Sequence, residues 1–124
     1  MVTEFHVATG STVGETPGFR DVNLRINLIL EEVSEFESAA SMISLGKYGP
    51  TLNADPSFTD AVKELCDILY VTLGTAVAWG IDILPWFEEV HRSNMTKIIG
   101  VEKRADGKVK KGPYYVPPDF SGLL

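Results

Sequence analysis

Two pairs of carboxylates, set on what read as two helices, constrain this chain more than any other feature. The first helix carries Glu31, Glu32 and Glu35 in LILEEVSEFESA, and the second carries Glu64 and Asp67 in AVKELCDILYV. Residues three apart on an α-helix lie about 60° apart around the axis and about 4.5 Å along it. Glu32 therefore shares a face with Glu35, and Glu64 with Asp67. Antiparallel packing of the two helices would bring four carboxylates to one point, an arrangement that is unfavourable unless a cation sits there. Oxygen donors at this density suit Mg²⁺ or Mn²⁺ better than zinc. Asp67 is the only charged side chain in LCDILYVTLGTAVAWGI, and an ionised carboxylate in such a setting needs a partner. A structural ion network with Lys or Arg would explain one such pair. Two facing pairs favour a metal site.

The rest of the composition sets limits. At 124 residues and 44% hydrophobic, the chain supports one domain, residues 1–124, with its own core. MVTEFHVATG has neither a basic start nor an apolar core, so no leader is expected there. The apolar run Ile68–Ile83 is short for a span and holds two glycines, so a buried helix is expected and no membrane partner. The single cysteine, Cys66, reads as a core residue and suits a reducing cytoplasm, bacterial or that of a host if the chain is phage-encoded. Net charge of −6 argues against a nucleic acid polymer as partner. Basic residues nonetheless gather late in the chain, at Arg92, Lys97, Lys103, Arg104, Lys108, Lys110 and Lys111. An acidic metal cluster with a separate basic strip suits a polyphosphate; a solvated basic tail is the plainer alternative.

Helix signals dominate, and the fold class expected is all-α, a bundle of about four helices with an irregular C-terminal arm over 101–124. A short helix is expected over Thr3–Thr9, ended by Gly10. Asp21 is a candidate cap for a long helix to about Leu45, closed by Gly46. Its positions Ile26, Ile29, Leu30, Val33, Phe36, Ala40 and Ile43 keep the helical period. Lys47–Pro56 reads as a loop. Ser57 opens a weak capping box for a helix to Trp79 that is apolar almost all round, hence buried in the bundle or between subunits. Asp82 is a plausible cap for a helix over Leu84–Ile99. The tail, with Asp106-Gly107, Gly112-Pro113 and Pro117-Pro118, suggests a turn or small hairpin and then an extended arm.

These residues resemble the all-α nucleoside triphosphate pyrophosphohydrolases, the MazG-like and phosphoribosyl-ATP pyrophosphohydrolase-like superfamily. The family pattern is Glu-x-x-Glu followed by Glu-x-x-Asp on neighbouring helices. LRINLILEEVSEFESA, DAVKELCDILYVTLGTAVAWGID, EEVHRSNMTKI and DGKVKKGPYYVPPDF look like segments of compact MazG-like proteins. The resemblance runs from Phe19 onward, and the first eighteen residues match loosely.

The resemblance implies cleavage of a nucleoside triphosphate between its α- and β-phosphates, giving a monophosphate and pyrophosphate. It carries the metal ligands over to Glu32, Glu35, Glu64 and Asp67. Glu31, about 100° from Glu32 on the helix, is placed to take or orient the proton of the attacking water. A surface carboxylate or a salt bridge to Arg25 is its alternative role. Asn94 and Lys97, in SNMTK, are expected to face the phosphates, although Lys97 also suits a helix C-terminus. Arg92, Lys111 and Tyr115 are weaker candidates for the same task, and His91 reads as ordinary surface. Arg25 would balance the carboxylate charge. Phe5, His6, Trp79 and Trp86 could stack on a base but fit a core equally. A purine (d)NTP such as dGTP is the lean, with dUTP, dCTP and phosphoribosyl-ATP as alternatives. A non-catalytic carboxylate metal-binding bundle is the competing class. Di-iron bundles, however, use Glu-x-x-His, and neither histidine fits. The apolar Ser57–Trp79 helix predicts a homotetramer built as a dimer of dimers, or a homodimer, with the Pro-rich arm reaching a neighbouring subunit.

Overall fold

The computed structural model describes residues 1–44, 56–98 and 100–123. In chain order these form α1 (Val2–Thr9), α2 (Phe19–Ser44), α3 (Pro56–Ala78), α4 (Ile83–Met95) and a 3₁₀ turn, Thr96–Ile98. The only β-type pairing among them is one isolated bridge, Lys103 with Val109. The chain divides into two compact units, Met1–Ile81 and Asp82–Leu124.

The first unit is a hairpin of α2 and α3 braced by the N-terminal segment. Asp21 meets Trp79 at one end, and Glu32 and Glu35 meet Glu64 further along. The two helices therefore run antiparallel. Asp21 does not cap α2, which begins two residues earlier at Phe19. Its carboxylate instead accepts from Trp79 Nε1 at 2.7 Å and from Arg25 Nε at 3.4 Å. That pairing engages the Trp79 indole N–H and directs the Arg25 Nε to Asp21. The expected ends at Leu45 and Gly46 and the loop Lys47–Asp55 lie outside the described residues. α3 starts with Pro56 at its first position, where a missing N–H costs nothing. Ser57 is thus inside the helix and is not its cap.

Small residues line the inner face of α3. Ala61, Ala76 and Ala78 are buried, and Gly74 lies against His6 of α1. α1 ends at Gly10 in the left-handed conformation (φ 66°), as expected from the sequence. The loop after it closes the open end of α3: Gly14 N–H donates to Val77 O and Glu15 N–H to Ala78 O, both at 2.9 Å. These bonds satisfy carbonyls that a helix C-terminus leaves unpaired. Gly80, at φ 68°, brings its backbone so near Gly14 that a Cβ there would stand 3.0 Å from the Gly14 Cα.

The outer face of α3 is not buried within the chain. Val62, Leu65, Leu69 and Leu73 follow a helical stripe and are exposed, Leu69 by 57%. Cys66 is also exposed, so its assignment to the core is corrected. Ile26, Leu30 and Val33 form a second exposed stripe on α2. Among the described residues, no single helix is long and apolar enough to cross a membrane.

In the second unit Asp82 caps α4 as expected, accepting from Leu84 N at 3.3 Å. The helix gives way to 3₁₀ geometry at Thr96, earlier than Ile99. Residues 102–110 make the small hairpin. Lys110 N–H donates to Glu102 O, Arg104 N–H to Lys108 O, and Gly107 takes φ 84° at the turn. The following arm lies along α4. Ser93 Oγ donates to Val116 O, Val116 N–H to Thr96 Oγ1, Arg92 to Pro117 O and Asp119 N–H to Glu89 Oε1. Trp86 stacks on Phe120 with ring centres 5.0 Å apart, so it too is engaged in packing.

Candidate metal centre

The helical spacing of the carboxylates has the expected spatial result. Glu32, Glu35 and Glu64 each offer an oxygen, and the three oxygens lie within 4.8 Å of one another. Glu32 is half-buried, and its carboxyl pKa is raised above the usual value. Burial is the first cause, followed by the negative charges of Glu35, Asp67, Glu31 and Glu64. Every other carboxylate singled out in the sequence thus bears on Glu32. A group held towards its neutral form by burial and then by surrounding like charge is one that a divalent cation would bring back to its ionised form.

Asp67 stands outside that triad of oxygens. Its Oδ2 lies 2.9 Å from Lys63 Nζ, and Lys63 is also 2.9 Å from Glu64 Oε2. Bonds to Asp67 and then to Glu64 raise the Lys63 pKa well above its ordinary value. The ion pairing weighed as an alternative for the α3 carboxylates is therefore present, made by a lysine one position before Glu64. Lys63 is 62% exposed, so it can leave without unfolding anything. Glu31 is exposed and has no salt bridge to Arg25, which pairs with Asp21.

In the second unit, four of the five substrate-binding candidates converge. Lys97 Nζ lies 5.4 Å and Lys111 Nζ 4.7 Å from the centre of the Tyr115 ring. Lys97 also donates to Asn94 Oδ1. The Tyr115 pKa is lowered, first by a hydrogen bond with Ser93 and then by Lys111 and Lys97. Arg92 does not join them. Its guanidinium is held by Glu89 through two bonds of 2.7 Å and by Pro117 O. His91 is exposed, as expected. Sequence reasoning missed Ser93, which is buried and anchors both Tyr115 and the arm. A serine between an arginine and an asparagine carries no distinguishing signal.

The first unit is thus an antiparallel helical hairpin with carboxylates clustered at i,i+3 spacing, an arrangement that could hold a metal ion. The family model for phosphoribosyl-ATP pyrophosphohydrolase matches residues 2–94. The chain belongs to that family, within the MazG-like all-α nucleoside triphosphate pyrophosphatase superfamily, and is an enzyme of the pyrophosphohydrolase class. The matched stretch includes both carboxylate pairs and stops at Asn94. Lys97, Lys111 and Tyr115 lie beyond it. A search of curated proteins gives no match.

Proposed function

We propose that the protein hydrolyses a (d)NTP at the α–β phosphoanhydride, releasing a monophosphate and pyrophosphate, in a reaction that depends on Mg²⁺ or Mn²⁺. The observation that carries this reading is the convergence of Glu32, Glu35 and Glu64 in a chain of this family. The donor set fits a hard divalent ion: every donor is a carboxylate oxygen, and Glu32 is destabilised as an anion in the ion's absence. Glu32, Glu35, Glu64 and Asp67 would hold it, with Asp67 released from Lys63. When bound, such an ion polarises a phosphoryl group and offsets the charge that develops on the leaving pyrophosphate.

The chain's own groups supply the rest. Glu31, exposed and not held by a salt bridge to Arg25, is the proposed acceptor for the proton of the attacking water. Lys97 and Lys111 provide point charges for phosphate oxygens, and Asn94 provides an amide donor. Tyr115 keeps the two ammonium groups together through its ring face. This assignment is carried by their grouping around Tyr115. A purine such as dGTP is the preferred substrate. Phosphoribosyl-ATP is the second reading, favoured by the description of the matching family.

The exposed stripes on α2 and α3 support a homo-oligomer, a tetramer built as a dimer of dimers or a dimer. Contiguous apolar faces of this kind are seldom left in water by a stable monomer, and a two-fold axis buries such a face against itself.

A panel of (d)NTPs and phosphoribosyl-ATP, incubated with Mg²⁺ and scored for pyrophosphate, tests the reaction. Orthophosphate as the main product would overturn the α–β assignment. Turnover that survives EDTA would overturn the metal assignment.

A further inference from the structure

A cavity of about 190 Å³ opens in the same hairpin as the carboxylates, lined by Phe5, His6, Arg25, Leu28, Tyr70 and Gly74 among others. Leu28 precedes Glu32 by four residues and Tyr70 follows Asp67 by three. The cavity's lining on α2 and α3 is centred about 11–12 Å along the hairpin from Glu32, Glu35 and Glu64. Two of its walls are polar side chains more than nine-tenths buried, His6 at 5% and Arg25 at 6% exposure. Neither is used up by the protein. His6 Nδ1 lies 2.8 Å from the Thr12 carbonyl, which can only accept. Nδ1 therefore carries the proton, and Nε2 of the neutral ring is an acceptor. Arg25 spends only Nε, in a long 3.4 Å contact with Asp21. Among the described residues no partner is seen for His6 Nε2 or for the Nη atoms of Arg25, yet no buried side-chain nitrogen or oxygen lacks a partner. Those atoms consequently remain accessible at the cavity.

We propose that this cavity is a nucleobase subsite that selects an oxo base, with Arg25 donating to the exocyclic carbonyl and His6 Nε2 accepting from the adjacent ring N–H. The proposal rests on the nucleotide reading of the carboxylate site. Its size suits a base ring and not a triphosphate. Phe5 and Tyr70, edge to face at 5.8 Å, give it an aromatic wall. A guanidinium fork needs more than one lone pair. A carbonyl oxygen offers two, whereas the ring nitrogen of an amino base offers one and brings an N–H₂ donor beside the fork. Guanine, uracil and thymine meet the requirement. Adenine has no exocyclic carbonyl for Arg25, and cytosine, whose O2 can take the fork, sets an unprotonated N3 against the His6 Nε2 acceptor; unpaired or opposed polar groups of this kind are what polar sites reject strongly. Gly74 is part of the device: a Cβ there would stand 3.0 Å from His6 Nε2.

The test is calorimetric binding of dGMP, dUMP, dAMP and dCMP to the full chain with Mg²⁺, which needs no turnover. At least one oxo nucleotide should bind roughly 10- to 100-fold more tightly than both amino nucleotides, and the dGMP and dUMP arms distinguish a purine from a pyrimidine site. His6→Phe and Arg25→Gln should each bring that ratio close to one. A ratio taken within one variant is unaffected by any unfolded fraction. In the wild type, the His6 Nε2 ¹⁵N resonance should shift with the preferred nucleotide and not with pyrophosphate. Equal affinities, a preference for amino bases, or an unmoved Nε2 resonance would overturn the pocket. Pyrophosphate release at equal efficiency from all four dNTPs would also overturn it while sparing the hydrolase reading. Selective oxo-nucleotide binding without any pyrophosphate release would do the reverse.

Discussion

Lys63 binds Asp67 across one helical turn and Glu64 beside it, both at 2.9 Å, so one exposed ammonium bridges the α3 carboxylate pair and offsets half of its charge. A divalent ion at the cluster must displace it. Lys63→Ala should therefore tighten Mn²⁺ binding, by about two- to fivefold given what exposed ion pairs are worth. Titration followed by electron paramagnetic resonance reads this directly, and an unaltered Kd would show that the lysine does not compete.

Glu35→Gln and Asp67→Asn should each lower pyrophosphate release by about 100-fold or more while leaving helical circular dichroism intact. Each removes a ligand charge without removing volume. Near-normal activity in either variant would mean that the proposed ligand set is wrong.

Acid should release the arm. The bidentate Arg92 contact, and then the Asp119 N–H, hold the Glu89 carboxyl at about 2, below its ordinary 4.5. A depressed carboxyl pKa contributes stability that is complete above 4.5 and is lost as pH falls towards 2. Hydrogen-exchange protection of the Asp119 amide should fall in that window, and Glu89→Gln should lose it at neutral pH. Protection that persists in the variant would place the clasp elsewhere.

Gly80→Ala should destabilise the first unit by about 1–3 kcal/mol, because φ 68° is strained for any L side chain and the new methyl meets the Gly14 backbone. Thermal melts of this variant beside Gly122→Ala, which meets nothing within 4 Å, make the comparison. Equal melting temperatures would refute the close-approach argument.

Light scattering coupled to size exclusion should find a mass that is a multiple of 13.6 kDa. Leu69→Lys combined with Leu73→Lys should shift it towards the single chain. A monodisperse wild-type monomer at micromolar concentration would remove the argument from the exposed stripes.

The helices and the acidic cluster were legible because both depend on local spacing. The 3.6-residue period alone puts Glu32 with Glu35, and the left-handed Gly10 and the Asp82 cap follow from single residues. Roles set by distant contacts were not legible. Asp21 has the chemistry of a cap, but Trp79, far along the chain, claims its carboxylate. Cys66 has the composition of a core residue, yet it sits on a face of α3 that the chain does not cover. His6 and Arg25 were visible only as a possible stacker and a counter-charge. The cavity they share exists because α1 folds back onto Gly74, and no window of sequence spans that contact.

The bonds from Gly14 and Glu15 to the last carbonyls of α3 also bear on the order of assembly. They join opposite ends of the first unit's sequence, and non-local closures of this kind are the slow and entropically costly ones. The hairpin can form from its own neighbours, whereas the N-terminal brace must wait until α3 is complete. A segment that docks last is expected to detach first in local opening. Any molecule held between His6 and Arg25 would therefore tie the N-terminal segment to the carboxylate-bearing hairpin and slow its opening.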